Sequence, residues 1–224
     1  SHRVDPGFGG ERALGDKCAL PSSLYTGVRY KPLLTGGMAL LAGGAMPLAF
    51  APVGWAWLAV IALATFFVLT AQSSRRQALW SAYLFGLGYF GVGVSWVFIS
   101  ISQYGNGPVV AVLVTAAFVS LLALFPWGVA YLVRCLRPEM DAMALWLGLP
   151  AAWVLSEWMR TWFLTGFPWL FIGYSQTDTT LATIAPVFGV LGVSLLVALL
   201  AGGLAWVVQG PSLRRAAVVG AVLV

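Results

Sequence analysis

The sequence predicts an all-α integral membrane protein: a bundle of six complete transmembrane helices, a truncated seventh, and a re-entrant or interfacial loop between helices five and six. Three observations predict it. Of 224 residues, 60% are hydrophobic and 8% are charged, whereas roughly a quarter of a soluble domain is charged. The mean hydropathy is +0.90. The apolar residues fall in runs close to the ~20 residues that cross a bilayer. A water-soluble fold of this size would lack the polar residues to cover its surface, so soluble enzymes are excluded.

Residues 1–30 differ in kind. They mix Gly, Pro, Ser and charges of both signs without a lasting period, the composition of a disordered leader or upstream extension. No compact apolar core with a small-residue cleavage site marks them as a secretory signal. Residues 31–224 form the expected membrane domain. A first helix over 33–50 turns at Ala51-Pro52. A second over 53–71 ends at Gln72-Ser73-Ser74-Arg75-Arg76. A third over 78–101 stops at Gln103-Tyr104-Gly105-Asn106-Gly107-Pro108, a turn by its Gly, Asn and Pro content. A fourth over 109–133 stops at Arg134-Cys135-Leu136-Arg137-Pro138-Glu139. A fifth covers 142–162, with Pro150 expected to kink it, and a sixth covers 181–208. The run over 213–224 is shorter than a crossing and reads either as a seventh helix interrupted by the end of the sequence or as a frayed tail.

The net charge of +5 comes in short basic pairs between the apolar runs. No basic helix or basic-aromatic stripe is present, so nucleic-acid binding is not expected. The pairs act as topology signals instead. With the N-terminus in the cytoplasm, Arg29, Lys31, Arg75, Arg76, Arg134, Arg137, Arg214 and Arg215 all fall on the cytoplasmic side. Arg160 alone lands on the outer side. Trp55, Trp57, Trp96, Tyr104, Trp162 and Trp169 lie near outer helix ends, where amphipathic rings anchor at the interface. Small residues at Ala39–Gly43 and Ser194–Ala198–Gly202 have the spacing of close helix packing. Cys18, Cys135 and His2 make no metal-ligand cluster, and neither a metal nor a cofactor is expected. Both cysteines are predicted cytoplasmic, which argues against a disulfide, and Cys135 has no partner base in view. Gly86, Gly88, Gly91 and Gly93 lie in an apolar span with no Lys-Ser/Thr after them, so they are not a phosphate loop.

One stretch breaks the apolar pattern, from Glu157 to Gln176. Glu157 and Arg160 stand three apart, on one side of a helix, and can pair. Ionisable groups near membrane depth often mark function; a structural ion pair fixing the helix end is the plainer reading, and the two are compatible. Thr165-Gly166 and Phe167-Pro168 disfavour a continuous helix, and Phe167 is expected to be extended before proline. Apolar, non-helical backbone at this depth must be buried in protein or line a cavity. A loop roofing a lipid-facing pocket is expected, with Trp169 at its tip.

The string EWMRTWFLTGFPWLFIGYSQ resembles the membrane domain of the apolipoprotein N-acyltransferase family, as do LAFAPVGWAWLA, GLGYFGVGVSWVFISISQYG and APVFGVLGVSLL, in the same order from Leu33 to Val224. The resemblance implies a bacterial inner-membrane enzyme that moves an acyl chain from a phospholipid to the α-amine of a lipoprotein's diacylglyceryl-cysteine. In that family the chemistry runs through a thioester on a cysteine of a periplasmic nitrilase-like domain, with a glutamate base and a lysine at the oxyanion. That domain normally follows the seventh helix, so this chain is expected to be inactive alone, and no catalytic residue carries over to it. By the resemblance, Phe167, Pro168 and Trp169, together with Trp96 and Tyr104, are candidates to contact lipid or substrate. Glu157, Arg160, Thr165, Gly166, Tyr174 and Gln176 are candidates to shape the loop or meet the catalytic domain. The competing readings are a non-catalytic module that docks a separate nitrilase-like subunit or binds lipid, and a transporter.

Overall fold

Small residues let helix backbones touch, and the most extensive helix contact in this fold follows from that rule. Helix α1 (Pro32–Ala45) lies against α3 (Arg75–Gly93). A Cβ on Gly43 would come within 2.1 Å of the Phe85 carbonyl oxygen, and one on Gly88 within 2.2 Å of the Leu40 carbonyl oxygen. Neither position has room for a side chain.

The structure is a computed structural model and describes residues 32–104, 107–163 and 166–210. The expected leader over 1–30, the expected truncated helix over 213–224 and Thr165 lie outside the described residues. Among the described residues the regular structure is helical, with no strand. After α1 and a 3-10 turn (Met46–Ala49) come α2 (Trp57–Gln72), α3, α4 (Ser95–Tyr104), α5 (Gly107–Leu122), α6 (Leu124–Leu136), α7 (Leu149–Arg160) and α8 (Ala185–Gln209). Three stretches are long and apolar enough to cross a membrane: Pro32–Ala49, Gly107–Leu136 and Thr180–Gln209. The pair α3 and α4 makes a fourth if its 49° bend is taken as one broken span, and α2 is apolar but shorter. The protein is a multi-pass helical membrane protein; among the described residues three or four spans qualify by length and composition, where six complete ones were expected.

The differences from the expected helices have local causes. The helix expected over 78–101 is two, broken at Val94, and Arg75 and Arg76 sit in the first turn of α3, where Ser74 caps the helix by accepting from the Gln77 N–H. The helix expected over 109–133 divides at Ala123, just before Pro126, which has no N–H to give the preceding turn. Pro150 sits in the first turn of α7, a tolerated place, and a π-turn (Ala144–Gly148) precedes it in place of the expected kink. Gly189, at φ 66°, bends α8.

The centre of the bundle is aromatic. Phe66 and Phe85 lie 5.0 Å apart between ring centroids, and Trp153 stands edge-on to both, at 5.7 Å and 6.2 Å. Tyr89 closes the cluster beside Trp153. At one end of the bundle the Arg134 guanidinium donates to the Ser73 carbonyl, and Arg75 donates to Cys135 Sγ. The α2–α3 turn and the end of α6 therefore form one basic end. Helix α7 starts near Val133 at that end and carries Glu157 and Arg160 to the other.

Candidate functional site

Helix α7 is amphipathic in an unusual sense: its buried face ends in two charges. Trp153, Glu157 and Arg160 follow one another at helical spacing, and all three are buried, Glu157 completely and Arg160 at 2% exposure. Glu157 Oε1 and Arg160 Nη2 are 3.8 Å apart. Buried charges need more partners than each other, and the chain after α7 supplies them.

That chain reverses at once. The Phe167 N–H donates back to the Arg160 carbonyl at 2.6 Å, and the Gly166 N–H to that of Phe163. Gly166 has φ 89°, and a Cβ there would meet the Thr161 carbonyl oxygen at 2.3 Å, so only glycine fits this turn. The returning strand of loop then runs over the buried pair. Arg160 Nη1 donates to the Trp169 carbonyl at 3.0 Å and Nη2 to that of Leu170 at 3.5 Å. Glu157 Oε1 accepts from Trp153 Nε1 at 3.1 Å and from the Ile172 N–H at 2.8 Å, where a 3-10 turn (Ile172–Gln176) begins. The guanidinium also lies 5.0 Å from the Phe171 ring and 5.2 Å from that of Phe90.

Three other helices hold the loop. From α3, the Tyr89 hydroxyl donates to the Leu170 carbonyl. Leu170 has φ 59°, a left-handed conformation that a leucine rarely adopts, and two side-chain donors on one carbonyl keep it there. From α8, Ser194 Oγ accepts from the Gly173 N–H at 2.9 Å. From the start of α2, the Ala56 carbonyl accepts from Gln176 Nε2 at 3.2 Å, and Gln176 is itself bound by Thr179. The outer residues of the loop are aromatic. Phe167 meets Phe118 of α5 edge-on at 5.2 Å and lies 5.4 Å from Trp169.

The candidates thus separate into two sets. Glu157 and Arg160 are turned inward and bind loop backbone, Gly166 closes its turn, and the buried Gln176 ties the loop to the start of α2. Pro168 and Trp169 face outward, Trp169 at 55% exposure, and Phe167 is half-buried between them and α5. Tyr174 is also exposed and stacks on Phe171. Trp96 and Tyr104 lie on α4, half and 89% exposed, and take no part in the hydrogen bonding around Glu157 among the described residues.

Beside the loop, a cavity of about 300 Å³ opens between α6 and α7. Phe125, Val129, Leu155 and Met159 line it, and Phe163 at the start of the loop closes one side. Its lining is almost all carbon, so it accepts an apolar chain and offers nothing to a charged group. The sequence reading missed these residues, because Leu and Met in apolar helices carry no mark of a cavity. It also missed Tyr89 and Ser194, for which a signal existed: hydroxyls inside apolar spans need partners.

The geometry can anchor an aromatic surface next to an apolar slot. Among the described residues it brings no cysteine against a base: Cys135 lies at the opposite end, on Arg75. Comparison with known proteins agrees with a membrane-domain reading. Residues 42–203 match the apolipoprotein N-acyltransferase N-terminal domain family. The chain is 48% identical over 200 residues to an apolipoprotein N-acyltransferase of Methylococcus capsulatus, covering 84% of this chain and 38% of that protein. It is 41% identical to that of Coxiella burnetii, covering 80% and 37%, and 39% identical to that of Vibrio parahaemolyticus, covering 75% and 34%. The chain therefore spans under two fifths of the length of the curated relatives it matches. With 162 of its residues inside the family's N-terminal domain, the chain belongs to the apolipoprotein N-acyltransferase family.

Proposed function

We propose that this chain is the membrane domain of a phospholipid:apolipoprotein N-acyltransferase, which holds acyl chains for transfer to the amine of a diacylglyceryl-cysteine. The observation that carries the reading is the apolar cavity whose wall includes Phe163, the residue that begins the anchored loop. An acyl chain lying between α6 and α7 would pass Phe163 and reach the half-buried Phe167 and the outward-facing Pro168 and Trp169. The donor in this reading is a membrane phospholipid and the acceptor a diacylglyceryl lipoprotein, both delivered through the bilayer. Acyl transfer belongs to a nitrilase-like part of the whole protein, so the described residues alone are inactive. The membrane is the bacterial inner membrane, with six complete crossings, the basic end in the cytoplasm and the loop outside.

Filling the cavity tests the reading. In the full-length protein, Leu155→Trp should lower the rate of acyl transfer and raise KM for phospholipid, with the loop still protected from protease. Wild-type kinetics in that variant would refute it. A reporter that works only in the cytoplasm, fused ahead of Ser1, tests the orientation; activity only of a periplasmic reporter reverses it.

A further inference from the structure

A second cavity, of about 810 Å³, opens at the basic end of the bundle, between the start of α1, the first two turns of α3, and α6. Its rim is polar: Ser74, Arg76 and Gln77. Its walls are aromatic: Trp80 and Tyr83 from α3, and Trp127 from α6. Arg76, Gln77, Trp80 and Tyr83 fall on one face of α3, so the polar rim gives way to rings within about 10 Å along the helix axis. Trp80 stacks on Tyr83 within the wall at 6.3 Å, and Trp127 is backed by Tyr131 at 5.2 Å.

The charges at this end are not equivalent. Arg75 is engaged, over the Tyr131 ring and on Cys135. Arg134 is buried against the Ser73 carbonyl, and Arg137 pairs with Asp141. Arg76 is exposed, lines the cavity, and has no acidic partner among the described residues. Among the described residues no Asp or Glu lines the cavity. A cation above an aromatic, apolar wall has the polarity order of one lipid molecule, headgroup outside and chains within. A basic pocket between membrane helices is suited to an anionic headgroup.

We propose that this cavity binds one phospholipid with an anionic headgroup, its phosphate at Arg76 and Ser74 and its chains against Trp80, Tyr83 and Trp127. The cavity opens at the end of the bundle opposite the loop and shares Leu124 of its wall with the first cavity; the proposal rests on Arg76 and stands whether or not the acyl-transfer reading holds.

Native mass spectrometry of the whole chain, released from detergent with phosphatidylglycerol or phosphatidylcholine of matched chains, tests it. The wild type should retain phosphatidylglycerol over phosphatidylcholine. Arg76→Ala should weaken phosphatidylglycerol retention about fivefold, the effect of one interfacial basic residue, and leave phosphatidylcholine unchanged. Arg76→Gln, which keeps the stem and removes the charge, should give the same loss, and Arg76→Lys should restore retention. Arg137→Ala, outside the cavity, should change nothing. Equal losses from Arg137→Ala and Arg76→Ala would mean general surface attraction and overturn the site. So would the absence of any anionic preference. Stabilisation by glycerol phosphate equal to that by the intact lipid would assign a soluble anion instead and overturn the lipid.

Discussion

Glu157 and Arg160 are 3.8 Å apart, yet each makes a closer contact with the loop than with the other. Glu157 Oε1 holds the Ile172 N–H at 2.8 Å, and Arg160 Nη1 holds the Trp169 carbonyl at 3.0 Å. The pair works as a two-sided clamp on a backbone that no helix or sheet satisfies, in a part of the protein where water is not available to replace it.

Removing one side of the clamp leaves a buried charge and two carbonyls short of donors. Arg160→Ala should destabilise the protein by about 3–5 kcal/mol, seen as a lower melting temperature in detergent and faster protease cutting between Thr161 and Thr180. Arg160→Lys should recover only part of that, because one ammonium cannot reproduce the planar fork. A wild-type melting temperature in Arg160→Ala would show that the loop is held by packing alone.

Tyr89→Phe isolates one hydrogen bond. The Leu170 carbonyl keeps Arg160, so the loss should be about 1 kcal/mol, with hydrogen exchange rising first around Leu170. No change in exchange there would mean that Arg160 suffices to hold the left-handed leucine.

The α1–α3 contact should separate two glycines that look alike in sequence. Gly88→Val places a side chain against the Leu40 backbone and should cost about 1–3 kcal/mol or more. Gly37, in the same α1, has open space where its Cβ would be, so Gly37→Ala should be neutral or stabilise by up to about 1 kcal/mol. Thermal melting of the two variants in one detergent decides it; equal destabilisation would contradict the packing described here.

Trp169 is exposed and its side chain makes one described ring contact, to Phe167. Trp169→Ala should therefore alter stability by no more than about 0.5 kcal/mol while slowing acyl transfer by the full-length protein. Unchanged turnover would remove Trp169 from the substrate path.

Much of the site was legible because it depends on short-range rules. The three-residue step from Glu157 to Arg160 puts both on one helix face in any fold. Gly166 and Phe167-Pro168 break a helix wherever they occur. The partners of those residues were not legible. Tyr89 and Leu170 are 81 residues apart, and Gln176 and Ala56 are 120 apart; nothing local to either sequence names the other. Trp96 and Tyr104 sit on α4, which begins after the break at Val94.

The sequence by itself determined the solvent. A chain with so many apolar residues and so few charges is stable only where lipid covers it, and its apolar runs must then be helices that satisfy their own backbone. Tertiary structure decided what the exceptions do. Whether a helix continues past Val94 or Ala123, which carbonyls Arg160 reaches, and where apolar side chains fail to fill the space between α6 and α7 all depend on close packing between distant segments. Hydropathy averages over such details, while van der Waals contact and hydrogen bonding fall away within an ångström or two of their best distance.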